Sequence, residues 1–178
     1  MNEYIIKTKN WVEKVVIGLN FCPFAKPVFV KNQIKFVYSE ATTTDTLTDC
    51  LVKELLFLTD IEGDDFETTI LVHPFVLQDF SDYVDYLEIA NHILYQLDLE
   101  GTLQIASFHP AYQFEGTNMD DIDNYTNRSP YPMLHIIRED TVEKAIKTYP
   151  NIEDIPDNNI KKATAMGSAF FEEHLSDS

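Results

Sequence analysis

The sequence predicts an α/β domain with about four strands, in a largely parallel or mixed sheet flanked by helices. Three observations carry this. Short apolar or alternating runs recur at residues 34–39, 68–73, 103–109 and 133–138. Stretches with helical apolar spacing separate the first three runs, which favours βαβ crossovers. The chain has 178 residues and is 44% hydrophobic, which suits one domain spanning 1–178 with a buried core. The last strand follows a loop rather than a helix, so its direction stays open. A ferredoxin-like α+β arrangement is the alternative.

The elements follow in order. Trp11, Val12, Val15, Val16 and Leu19 recur at helical spacing, so residues 3–19 predict an amphipathic helix. Gly18 and Asn20 are its stop signals. Residues 34–39 alternate and predict a strand. Thr42 to Asp45 fits a helix start, and Leu47, Leu51, Leu55 and Leu58 form one stripe of a helix over 45–59. An acidic turn containing Gly63 leads to a buried strand, Thr68 to His73, which Pro74 ends. Tyr83, Leu87, Ala90, Leu94 and Leu97 share a face of a helix over 79–98, with Gly101 as its breaker. Leu103 to His109 and Met133 to Arg138 are the remaining strands. Asp140 with Glu143 starts a short helix that Pro150 stops. A last helix starts near Pro156 and carries Ile160, Ala163, Met166 and Phe170 in register.

Charge narrows the partners. Thirteen basic against thirty acidic residues leave a net charge of −17, and no Lys or Arg lies between Lys53 and Arg128. Such a field repels polyanions, so nucleic acid and anionic membrane are poor expectations. No stretch approaches the roughly 20 apolar residues of a membrane span. The amino terminus lacks the basic start, apolar run and cleavage site of a signal peptide, and cysteines are few, so a cytoplasmic location is expected.

Two segments concentrate the chemistry. The strand ends Val72-His73-Pro74 and Phe108-His109-Pro110 share a pattern. If the strands are parallel, both imidazoles sit at the carboxyl edge of the sheet, where open α/β folds bind ligands. Residues 110–132 then form a long loop dense in hydrogen-bonding groups and stiffened by prolines, the composition of an ordered binding loop. Within it Arg128 either grips an anionic ligand, with Asn127, Ser129 and Tyr131 beside it, or pairs with Asp120, Asp121 or Asp123. Asp120 and Asp121 are candidates for base, metal ligand or turn residue. Cys22 sits between Pro23 and the end of the first helix, a reactive thiol if Lys26 or Arg128 supplies positive charge, and otherwise a buried, inert one. Cys50 reads as core, and so does His135 inside its apolar strand.

The segment Asn20-Phe21-Cys22-Pro23-Phe24-Ala25 and the run Ser107-Phe108-His109-Pro110 carry a resemblance. Phe114, Gly116, Asp120, Asp121 and Asn127-Arg128-Ser129-Pro130-Tyr131-Pro132 extend it. The chain resembles, over nearly its whole length, a family of small bacterial proteins grouped as a domain of unknown function. The resemblance implies a cytoplasmic, single-domain protein and transfers no catalytic role.

The leading expectation is a small-molecule enzyme acting on a polar or anionic substrate. Cys22 or His109 would supply thiol or acid–base chemistry, and Asp120 or Asp121 would orient the imidazole. The alternatives are a non-catalytic interaction module with an acidic surface, and a divalent-metal protein using His109 with Asp120 and Asp121, joined by His73 or His135. Cofactor and oligomeric state are left open.

Overall fold

A computed structural model describes residues 2–61 and 65–175. The expected turn residue Gly63 lies outside the described residues. The helices are α1 (Glu3–Trp11), α2 (Ala25–Val30), α3 (Thr44–Asp60), α4 (Phe80–Gln96), α5 (Glu139–Thr148), α6 (Ile155–Met166) and α7 (Ser168–Leu175). The strands are β1 (Ile34–Tyr38), β2 (Thr68–Val72), β3 (Leu103–Phe108) and β4 (Met133–Arg138).

The four strands form one mixed sheet in the order β1-β2-β4-β3. β1 and β2 pair in parallel, while β4 runs antiparallel to both β2 and β3. The open question of the last strand is thereby closed: it turns back and enters between β2 and β3. The sheet is mixed, with a single parallel pair. All five residues of β2 are buried, as expected for a strand paired on both edges and covered on both faces.

Side-chain alternation divides the interior into two layers. On the first face, Val37, Leu71, Ile105, Leu134 and Ile136 pack against Leu47, Leu51, Leu55 and Leu58 of α3 and Tyr83, Tyr86, Ala90 and Leu94 of α4. On the second face, Phe36, Ile70, Val72, Met133 and Phe108 meet Trp11, Val12, Val15, Ala163 and Phe171. Helices on both faces set aside the ferredoxin-like alternative, whose helices gather on one.

Four local expectations change. The first helix does not stay α-helical, because Val12–Ile17 forms a π-helix. Gly18 N–H there reaches back five residues to the Glu13 carbonyl, and a Cβ at Gly18 would collide with the carbonyl oxygen of Lys14. The proline-bounded turn after it contains the short helix α2, since Pro27 falls in the first turn, where a missing N–H costs little. Thr43, rather than Thr42, caps α3 and exchanges bonds with Thr46. The last helix is interrupted at Gly167, whose φ of 76° separates α6 from α7.

Tyr83 joins the layers. Its hydroxyl donates to the Met133 carbonyl at 2.7 Å and accepts from Phe108 N–H at 3.1 Å, so one buried group pins β3 and β4 to α4. Tyr83→Phe leaves both backbone groups without that partner. It should cost about 1–3 kcal/mol, read from urea denaturation, while the circular dichroism of the native state is unchanged.

Candidate functional site

The carboxyl edge holds the expected histidines together, but as packing. β1, β2 and β3 point the same way, so His73 and His109 both emerge there. They are 0% and 1% exposed. His109 accepts from Ala111 N–H on Nδ1 at 3.0 Å, which fixes the proton on Nε2, where it is donated to the Leu77 carbonyl at 3.0 Å. Both ring nitrogens are committed, and the ring rests on Phe80 and Tyr83. No lone pair remains for general-base work or for a metal ion. Burial also holds the His109 pKa below the ordinary range. His73 donates from Nδ1 to the Val76 carbonyl, and burial lowers its pKa to about 4.

The 110–132 loop is ordered by groups that point inward. Asn124 is 0% exposed and organises it. Its Oδ1 accepts from Phe114 N–H and the Thr117 hydroxyl, while its Nδ2 donates to the Asn118 carbonyl. Among the described residues Arg128 pairs with none of Asp120, Asp121 or Asp123. Its guanidinium donates to the Tyr112 and Met119 carbonyls at 3.2 and 2.6 Å and lies 4.4 Å over the Tyr125 ring. Asn127 Nδ2 donates to the Ser107 carbonyl, and the buried Ser129 hydroxyl donates to Tyr131 O. The Tyr131 ring packs on Tyr4. Asp121 accepts from Asn118 N–H at 2.7 Å, a turn bond, and Asp120 is exposed. Among the described residues no group of three or more His, Cys, Asp or Glu side chains is placed to hold a metal ion.

Cys22 lies elsewhere. It faces a cavity of about 270 Å³ on the second face of the sheet, opposite the layer that holds His109. The expected convergence of Cys22, His109 and Arg128 is therefore absent. The π-helix residues Val12 and Val16, with Trp11, form the roof. Phe24, Ala25 and Val28 form one wall, and Thr141, Val142 and Ala145 of α5 another. Ile70, Ala106, Phe108, Met133 and His135 form the floor. The cavity sits over the middle of the sheet and the amino end of β2, not at the carboxyl edge. That edge is already filled by the histidines and the loop.

His135 is the residue that the apolar pattern concealed. Its Nε2 lies 2.7 Å from the Thr68 hydroxyl, which itself donates to the Ile136 carbonyl at 2.6 Å. A carbonyl only accepts, so the single Thr68 proton is spent there and Nε2 must carry the proton of the His135 bond. Nδ1 is left bare. Burial lowers the His135 pKa to about 4, so the ring is neutral at pH 7. Burial raises the Cys22 pKa, partly offset by the backbone N–H groups of Phe24 and Ala25, so the thiol keeps its proton. At the rim, Thr141 donates to the Glu67 carboxylate at 2.6 Å and ties α5 to the sheet. The legible signs of this site were Cys22 in its proline-bounded turn and a lone imidazole in Met133-Leu134-His135-Ile136-Ile137, an otherwise apolar strand.

The histidines make stability depend on pH. Folded His73 and His135 take up protons only near pH 4, against 6.5 in the unfolded chain. The unfolded state therefore binds more protons between those values, and stability, complete above pH 6.5, is lost as pH falls through the window. Thermal unfolding should occur at a constant temperature above about pH 7.5 and several degrees lower at about pH 5.5, before most carboxylates titrate. A flat profile would contradict the buried neutral rings. Separately, Arg128→Met should speed thermolysin cleavage within 110–132 several-fold and leave the cavity intact, because the side chain closes the loop and touches no cavity wall.

Residues 3–173 match the model of a family described as "Protein of unknown function (DUF1415)". No curated protein and no solved structure matches the chain. No described helix is long and apolar enough to cross a membrane.

Proposed function

The chain belongs to this DUF1415 family. Taking no activity from it, we propose a small-molecule protein whose ligand occupies the cavity beneath the N-terminal helix. One observation carries the reading: about 270 Å³ of space bounded almost wholly by apolar side chains, into which the Cys22 thiol and the His135 imidazole are set. Ligand sites are typically apolar hollows with few polar groups. An apolar void of about 150 Å³ takes up benzene, so this one suits roughly ten non-hydrogen atoms.

The substrate class differs from the polar or anionic one expected from the sequence. Arg128, the group meant to bind it, lies in the loop and does not line the cavity. An apolar molecule gains by leaving water for such walls, at roughly 25 cal/mol per Å² buried. In the cavity His135 Nδ1 is the group that would accept a proton, and burial makes it a weak base. A protonated Cys22 thiol is a weak nucleophile. The π-helix supports the reading, since such segments recur at functional sites.

Trp11 is the single tryptophan and lines the cavity, so its fluorescence reports occupancy directly. Small alkylphenols should change its intensity saturably and raise the unfolding temperature. Ala145→Leu fills the space from α5 and should weaken binding at least tenfold without loss of stability. Equal binding by the filled variant would place the ligand elsewhere and end the proposal.

A further inference from the structure

The cavity has a chemical polarity that its apolar walls do not suggest. Its floor presents Nδ1 of His135 unmatched; the other unmatched group of the lining, Trp11 Nε1–H in the roof, is a donor buried out of reach of solvent. The Thr68 hydroxyl holds the opposite nitrogen, Nε2, as the donor and passes its own proton to the Ile136 carbonyl. Nδ1 is therefore an acceptor with no proton to give. No described residue donates to it, and it is not among the polar atoms shut away from solvent-sized space. His135 lines the cavity, and its Nδ1 has no hydrogen-bond partner among the described residues.

Resting on the cavity reading above, we propose that the ligand carries a neutral hydrogen-bond donor, such as a phenol, an alcohol or an uncharged amine, and gives it to Nδ1 of His135. The remainder of the molecule is apolar and compact. Each alternative end group fails on a stated contact. A carboxylate brings only acceptors to an atom that only accepts, beside the Glu67 carboxylate at the rim and within a chain of net charge −17. A plain hydrocarbon leaves the lone pair buried and unmatched, which carries a desolvation penalty. The clamp on Nε2 is what gives the site its sense. Were the ring free to exchange tautomers, Nδ1 would serve acceptors and donors alike.

Three probes of nearly equal shape decide the matter: 4-ethylphenol, 4-ethyltoluene and 4-ethylbenzoate, each titrated against Trp11 fluorescence and the unfolding temperature. The expected result is binding of the phenol at least tenfold tighter than the hydrocarbon, with the carboxylate weakest. His135→Phe should abolish the preference for the phenol while hydrocarbon binding persists. Nitrogen-15 spectra of the unsubstituted protein give a readout that does not depend on a variant folding. Nδ1 of His135 should show the signal of an unprotonated nitrogen, and that signal should move with 4-ethylphenol but not with 4-ethyltoluene. Equal affinities for phenol and hydrocarbon, meaning that a water molecule serves Nδ1, would overturn the inference and leave the cavity reading standing. Tighter binding of the carboxylate, or a protonated Nδ1, would overturn it too. Silence from all three probes would overturn both.

Discussion

Much of this structure follows from one constraint: the fourth strand enters the sheet from the opposite direction, between β2 and β3. A gap between two parallel strands exposes two rows of unpaired N–H and C=O groups, and buried groups of that kind must be matched. β4 matches both rows. To do so the chain must reverse after β3 and cross back over the end of the sheet. His73 N–H donates to the Pro132 carbonyl, and His109 exchanges backbone bonds with Asn127 and Ser129, so the crossing is tied to both neighbouring strands.

That reversal accounts for the long polar loop. Its polar side chains are numerous because a loop packed over a sheet edge carries backbone groups that need partners. Asn124 and Arg128 supply several of those partners between them, the former through both ends of its amide. Tyr83 and the two histidines fill the space below, and apart from Nε2 of His73 their polar atoms are directed to carbonyls and N–H groups. The carboxyl edge, the usual ligand side of an open α/β sheet, is thereby occupied by the protein itself.

The opposite layer is built differently. Its roof is a π-helix, which is wider per turn than an α-helix. Its walls include the two-turn α2 and the amphipathic α5, no residue of which is fully buried. Short and half-exposed elements fill space poorly, and the result is a cavity where a longer helix would have packed solid. Within it the neutral imidazole of His135 and the protonated thiol of Cys22 are held uncharged by the same burial. Of the acidic residues, Glu54 is buried and paired with Lys35 at 2.6 Å.

Much was legible in the chain by itself. The four strands and the stripes Leu47-Leu51-Leu55-Leu58 and Tyr83-Leu87-Ala90-Leu94 are local patterns, set by period and backbone preference, and each falls where it was read, whereas the helix expected to run to 98 before Gly101 already ends at Gln96, with Asp98 at φ 57° turning the chain. The shared edge of His73 and His109 was legible as well, because it needs only strand direction. What tertiary structure alone decided is which polar groups remain free. Arg128, His109 and Asp121 looked like chemistry because their residue types are versatile, yet their partners are backbone atoms that no side-chain pattern records. His135 looked like core because its neighbours are apolar. Its freedom depends on Thr68, 67 residues away, being paired across β2 and β4 and spending its proton on Ile136. A hydrogen bond between strands is a long-range event, and a tautomer is fixed by the partner and not by the residue.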